Sequence, residues 1–113
     1  MAIIPAKKNF TVDRRADFAL RLTFKDGDGD AINLTGYTVA AQVWDKDRKL
    51  KFADWNVTYT NRSTGTVDIA LTDTQTAGFT PDVLRYDVLL TNGAGLKEYY
   101  LEGTIFVSEG YTA

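Results

Sequence analysis

The sequence predicts an all-β protein, an antiparallel β-sandwich of the immunoglobulin-like or a related kind, with six to eight strands and one short helical turn. Three observations predict it. Apolar and polar residues alternate with period two over most of the chain, the pattern of strands with one face in a core and the other in water. Clusters of Gly, Asn, Asp and Ser punctuate these runs at roughly the spacing of short strands in an all-β domain. A length of 113 residues with 44% hydrophobic and 25% charged residues fits one folded domain and leaves no room for a second core. A barrel is the competing architecture. The Cys…Trp…Cys framework of antibody domains is absent, because the chain has no Cys.

The elements follow in order. Over residues 17–25, Phe18, Leu20, Leu22 and Phe24 share one face and Ala19, Arg21, Thr23 and Lys25 the other, which makes this the clearest strand. Residues 38–44 place Val39, Ala41 and Val43 together, while the opposite face of Ala40, Gln42 and Trp44 is not fully polar and is expected to meet a neighbour. Residues 50–59 read as one long or broken strand with a bend near Trp55, Leu50 and Phe52 lying before it and Val57 and Tyr59 after it. Val67, Ile69 and Leu71 point inward from residues 66–71, and Leu84, Tyr86, Val88 and Leu90 from residues 84–90. The last strand, 97–107, sets Tyr99, Leu101, Gly103, Ile105 and Val107 against Tyr100, Glu102, Thr104 and Phe106.

Turn chemistry agrees with this division. Asp26-Gly27-Asp28-Gly29-Asp30 closes the first clear strand, Ser63-Thr64-Gly65 separates two strands, and Asn92-Gly93-Ala94-Gly95 joins the last two as a hairpin. Thr72-Asp73-Thr74-Gln75 fits a capping box that opens a helical turn; Gly78 is expected to end it in the left-handed conformation and Pro81 to block its extension. The expected core is Phe18, Leu20, Leu22, Val39, Val43, Val67, Ile69, Leu71, Tyr86, Val88, Leu90, Leu101 and Ile105. Residues 1–9 read as an amino-terminal arm, and residues 10–113 as a single sandwich domain.

Composition removes several function classes. Thirteen Lys plus Arg against fifteen Asp plus Glu give a formal net charge of −2, without the basic footprint of a nucleic-acid binder or of a membrane-surface protein. No run approaches the roughly 20 apolar residues of a membrane span, and the apolar start is too short for a secretory signal, so synthesis in a cytoplasm is expected. With no Cys and no His, thiol and imidazole chemistry and the usual zinc sites are excluded. No phosphate-cradling, dinucleotide-binding or nucleophile-elbow motif occurs. No catalytic residue, cofactor site or metal site is expected. Asp26, Asp28 and Asp30 alternate as calcium ligands do, but Ala31 and Tyr37 stand where an EF-hand loop needs Gly and an acid, so the segment reads as a solvated turn. Trp44, Trp55, Tyr99 and Tyr100 are the candidates for a sugar-stacking platform, with core or subunit interface as the competing role.

Several segments in succession carry a resemblance. They are the strand Phe18 to Phe24, then Ala31-Ile32-Asn33-Leu34-Thr35-Gly36-Tyr37 and Val39-Ala40-Ala41-Gln42-Val43-Trp44. Gly65-Thr66-Val67-Asp68-Ile69-Ala70-Leu71 follows with Thr72 to Thr76, then Arg85-Tyr86-Asp87-Val88 and Leu101-Glu102-Gly103-Thr104-Ile105-Phe106-Val107. This order resembles the amino-terminal β-sandwich domain of phage upper-baseplate proteins and its relatives in tail, fibre and head-decoration proteins. The resemblance implies a non-enzymatic structural protein located in the virion, with other virion proteins as partners and a homo-oligomer, a trimer above a dimer, as its state. A carbohydrate-binding module and a phage-encoded protein that binds one host partner are the alternative functions. Ile3 and Ile4 in the arm, with Trp44, Tyr100 and Phe106 on strand faces opposite the presumed core, are the expected interaction residues. Deleting residues 1–8 is expected to abolish incorporation into particles while leaving the sandwich folded.

Overall fold

The computed structural model describes residues 6–110, and these form two packed β-sheets. The strands are β1 (Ala6–Lys7), β2 (Phe10–Asp13), β3 (Phe18–Thr23), β4 (Thr38–Asp45), β5 (Lys51–Asp54), β6 (Asn56–Asn61), β7 (Thr66–Leu71), β8 (Val83–Thr91) and β9 (Lys97–Ser108). A 3-10 turn, Arg62–Thr64, precedes β7, and the helix α1, Asp73–Ala77, follows it. The large sheet has the order β1-β9-β8-β4-β5, with β2 continuing the β1 edge along β9; the small sheet has the order β3-β7-β6. This is the predicted all-β sandwich. One feature differs from the expectation of purely antiparallel sheets: β1 and β2 run parallel to β9, with Ala6 opposite Leu101 and Phe10 opposite Ile105.

Period-two alternation is realised where it is strongest in sequence. Val39, Ala41 and Val43 of β4, Val67, Ile69 and Leu71 of β7, and Leu84, Tyr86, Val88 and Leu90 of β8 are buried in one contiguous core with Leu22, Leu101 and Ile105. Phe18 and Leu20 are half-buried and pack against that core. The chain bends where expected: β5 lies in the large sheet and β6 in the small one, and Trp55 sits buried at the crossing with its amide donating to Ala41. Residues outside strands add four fully buried side chains, Phe24, Leu34, Phe79 and Thr76, the last with its hydroxyl donating to Ala16 O at 2.8 Å.

The turns obey local chemistry. Thr72 and Gln75 form the capping box on α1. Gly78, however, is right-handed (φ −81°), because its amide closes on Gln75 and Thr76 carbonyls and the chain leaves toward Phe79 without a left-handed reversal. Asp26 Oδ1 accepts from the amides of Asp28 and Asp30, so this carboxylate organises the turn from within. Gly65 takes φ 72° against the backbone oxygens of Phe24 and Ile32, a conformation and a proximity that admit no side chain.

Candidate functional site

The outer face of the large sheet carries a surface where apolar and charged side chains converge. Strand register builds it row by row. On β8 the outward residues are Val83, Arg85, Asp87, Leu89 and Thr91, and their partners on β9 are Phe106, Thr104, Glu102, Tyr99 and Lys97. On β4, Trp44 lies opposite Arg85, Gln42 opposite Asp87 and Ala40 opposite Leu89. A groove of about 340 Å³ runs over Gln42, Trp44, Asp87, Leu89, Tyr99 and Glu102, with the β4–β5 turn as its wall.

The groove's polar groups are held in place by neighbours. Trp44 Nε1 donates to Gln42 Oε1 at 2.9 Å, and the Arg48 guanidinium lies 4.8 Å from the Trp44 ring centre. Arg48 is placed there by the turn, in which its own φ is 57° and the Asp45 carboxylate accepts from the Lys49 amide. Asp87 and Glu102 face each other directly across two strands, an arrangement of like charges that is unfavourable in itself. Burial, then the Glu102 charge, push the Asp87 carboxyl above its ordinary value, while Arg48 opposes them. Among the described residues no cation lies within ion-pairing distance of Asp87 or Glu102.

The expected interaction residues separate into three groups. Trp44 and Phe106 do share the outer face, and Phe106, 46% exposed, stands beside exposed Val83. Tyr100 does not. A β-bulge between Val88 and Leu89 lets β9 pass Tyr100 without a partner, so Tyr99 turns outward and Tyr100 inward, the reverse of strict alternation. Tyr100 stacks on Phe24 with ring centres 4.4 Å apart, and its hydroxyl accepts from the Lys25 amide. Of the sugar-platform candidates, Trp55 belongs to the core and only Trp44 and Tyr99 line the groove. Ile3 and Ile4 lie outside the described residues.

The described end of the arm is part of the sheet. Lys8 N donates to Glu102 O, Asn9 Oδ1 accepts from Thr104 N, and the Tyr86 hydroxyl donates to Lys8 O at 2.6 Å. Burial raises the Tyr86 phenol above its ordinary value and keeps it a neutral donor. Gly103 makes the approach possible, since a Cβ there would overlap the Lys8 carbonyl oxygen. Removing residues 6–8 would therefore strip hydrogen bonds from β8 and β9, so a deletion of residues 1–8 takes stability from the sandwich as well as its arm. Cutting after residue 5 tests the arm without that damage.

No family model matches the chain, and no curated protein matches it in sequence. Among solved structures, the filamin domain of Lin-41 is similar, with a TM-score of 0.50 and 17% identity over 88% of this chain and 84% of that one. A structure from photo-crosslinking analyses of multimeric cell-adhesive interactions of VGSC beta subunits has a TM-score of 0.49 and 13% identity, over 92% of this chain and 93% of that one. Neither is a phage protein. At 17% identity the filamin likeness shows the fold alone, and that fold is an immunoglobulin-like β-sandwich.

Proposed function

We propose that the protein is a non-enzymatic structural protein of a bacteriophage particle, assembling there through the outer face of its large sheet. The observation that carries a docking role is the exposure of Tyr99, Phe106 and Val83, with half-buried Trp44 on the same face, on a sandwich whose core is already complete without them. The succession of segments that resembles phage baseplate and decoration proteins supports the particle as the setting. Function in this reading is geometry: the sandwich holds a face of mixed apolar and charged side chains in place. Mass spectrometry of gradient-purified particles of the phage carrying this gene tests it. Peptides of this chain at a constant ratio to a major virion protein are expected; their absence from intact particles removes the reading.

A carbohydrate-binding role has one observation in its favour. The groove sets two aromatic rings beside planar hydrogen-bonding groups, Gln42, Arg85, Asp87 and Glu102, at a volume suited to a small ligand. A glycan array separates the two readings, because a structural protein gives no signal that Trp44→Ala abolishes.

A further inference from the structure

Four consecutive outward rows of β8 and β9 form a pattern that is symmetric in hydropathy and opposite in charge. Read along the ladder, they are Val83 with Phe106, Arg85 with Thr104, Asp87 with Glu102, and Leu89 with Tyr99, and a polar row of Thr91 with Lys97 follows them. Of the four, the first and last are apolar, one inner row is basic and the other acidic. A two-fold axis lying in the contact plane, across the strands and between the Arg85 and Asp87 rows, exchanges the rows pairwise. We propose that this face binds a second copy of the same chain, β8 running antiparallel over β8, so that Val83 and Phe106 seat on the partner's Leu89 and Tyr99 while Arg85 meets the partner's Asp87 and Glu102.

Charge complementarity points to a second copy as the occupant. Asp87 and Glu102 repel each other within one chain and have no ion pair among the described residues, and Arg85 makes only a 3.5 Å contact with the Thr104 hydroxyl. Each of these groups finds its opposite in the rotated copy, in a setting where carboxylates accept two parallel bonds from a guanidinium. The axis also lays each Trp44 over the partner's Gln42, which continues the contact onto β4. A standard interface of about 800 Å² per partner is roughly an eighth of the 6743 Å² surface of one chain. Such face-to-face packing of two sheets is the arrangement that already joins the sheets within the sandwich. The inference stands on strand register alone and holds whether or not the protein belongs to a particle.

The test is sedimentation of the full chain over a concentration series, with Arg85→Glu and the double variant Asp87→Lys/Glu102→Lys. The wild-type chain is expected to dimerise, and each variant alone to lose at least about tenfold in dimer affinity. Mixing the two variants restores a dimer, because one face is then wholly acidic and the other wholly basic. That rescue also shows that neither variant has merely unfolded. A wild-type chain that stays monomeric throughout the series, a trimer, or a dimer indifferent to both variants overturns the proposal.

Discussion

Replacing Gly103 by Ala isolates the contact that fixes the amino-terminal segment to the sandwich. Gly103 is buried in β9 opposite Tyr86, and a methyl group there would overlap the Lys8 carbonyl oxygen, stand 2.7 Å from its carbon and stand 3.1 Å from Tyr86 Cε1. Two of these neighbours are backbone, so the strain cannot be relieved by a rotamer change. Overpacking of this kind costs about 1–3 kcal/mol. Moving Lys8 away leaves the Tyr86 hydroxyl without its acceptor, a loss of about 1–3 kcal/mol more. The combined destabilisation of about 2–6 kcal/mol corresponds to a fall in Tm of roughly 8–25 °C for a domain of this size. Urea unfolding measures it, and exchange of the Thr104 amide, which donates to Asn9, reports locally. The sign decides the matter. Without the close approach, Gly to Ala in an extended strand would stabilise by about 0.4–1 kcal/mol through the unfolded chain. A neutral or stabilising Gly103→Ala refutes the placement of Lys8 over Gly103.

Three further outcomes follow from particular residues. Gly65→Ala destabilises by about 1–3 kcal/mol, since φ 72° and backbone oxygens 2.7 and 2.8 Å from the new Cβ leave no accommodation, and thermal melting checks it. Thr76→Val costs about 1–3 kcal/mol by leaving the Ala16 carbonyl without its buried donor, as urea titration would show. Asp87→Asn acts through pH: the folded state raises the Asp87 pKa, through burial and Glu102 against Arg48, so the wild-type chain holds the proton more tightly folded than unfolded. Stability therefore falls as pH rises through the unfolded and then the folded pKa, and the variant is more stable at pH 7 and not at pH 3, measured by melting dilute protein.

The core was largely legible in sequence because period two and burial coincide in β4, β7 and β8. The remainder was illegible for identifiable reasons. Phe10 to Asp13 offers only two inward residues, and the parallel pairing that makes it a strand depends on β9, more than ninety positions away. Leu34 and Phe79 are fully buried from segments with no strand period. The bulge that turns Tyr99 outward and Tyr100 inward leaves no mark on composition, yet one extra residue exchanges the faces of everything before it. The groove was invisible for the same cause, since Asp87 and Glu102 become neighbours only through register. Trp44 and Phe106 were identifiable because apolar residues at outward positions of a strand stand out against the polar default.

The most direct measurement of the outer face as the working surface is incorporation of a Phe106→Glu chain into particles, beside Ala19→Glu on the exposed face of β3 as the control. Both positions are solvent-exposed and neither side chain belongs to the core, so both variants fold. The account predicts that Ala19→Glu is incorporated at the wild-type ratio and that Phe106→Glu is lost from particles. Equal incorporation of the two chains would contradict it.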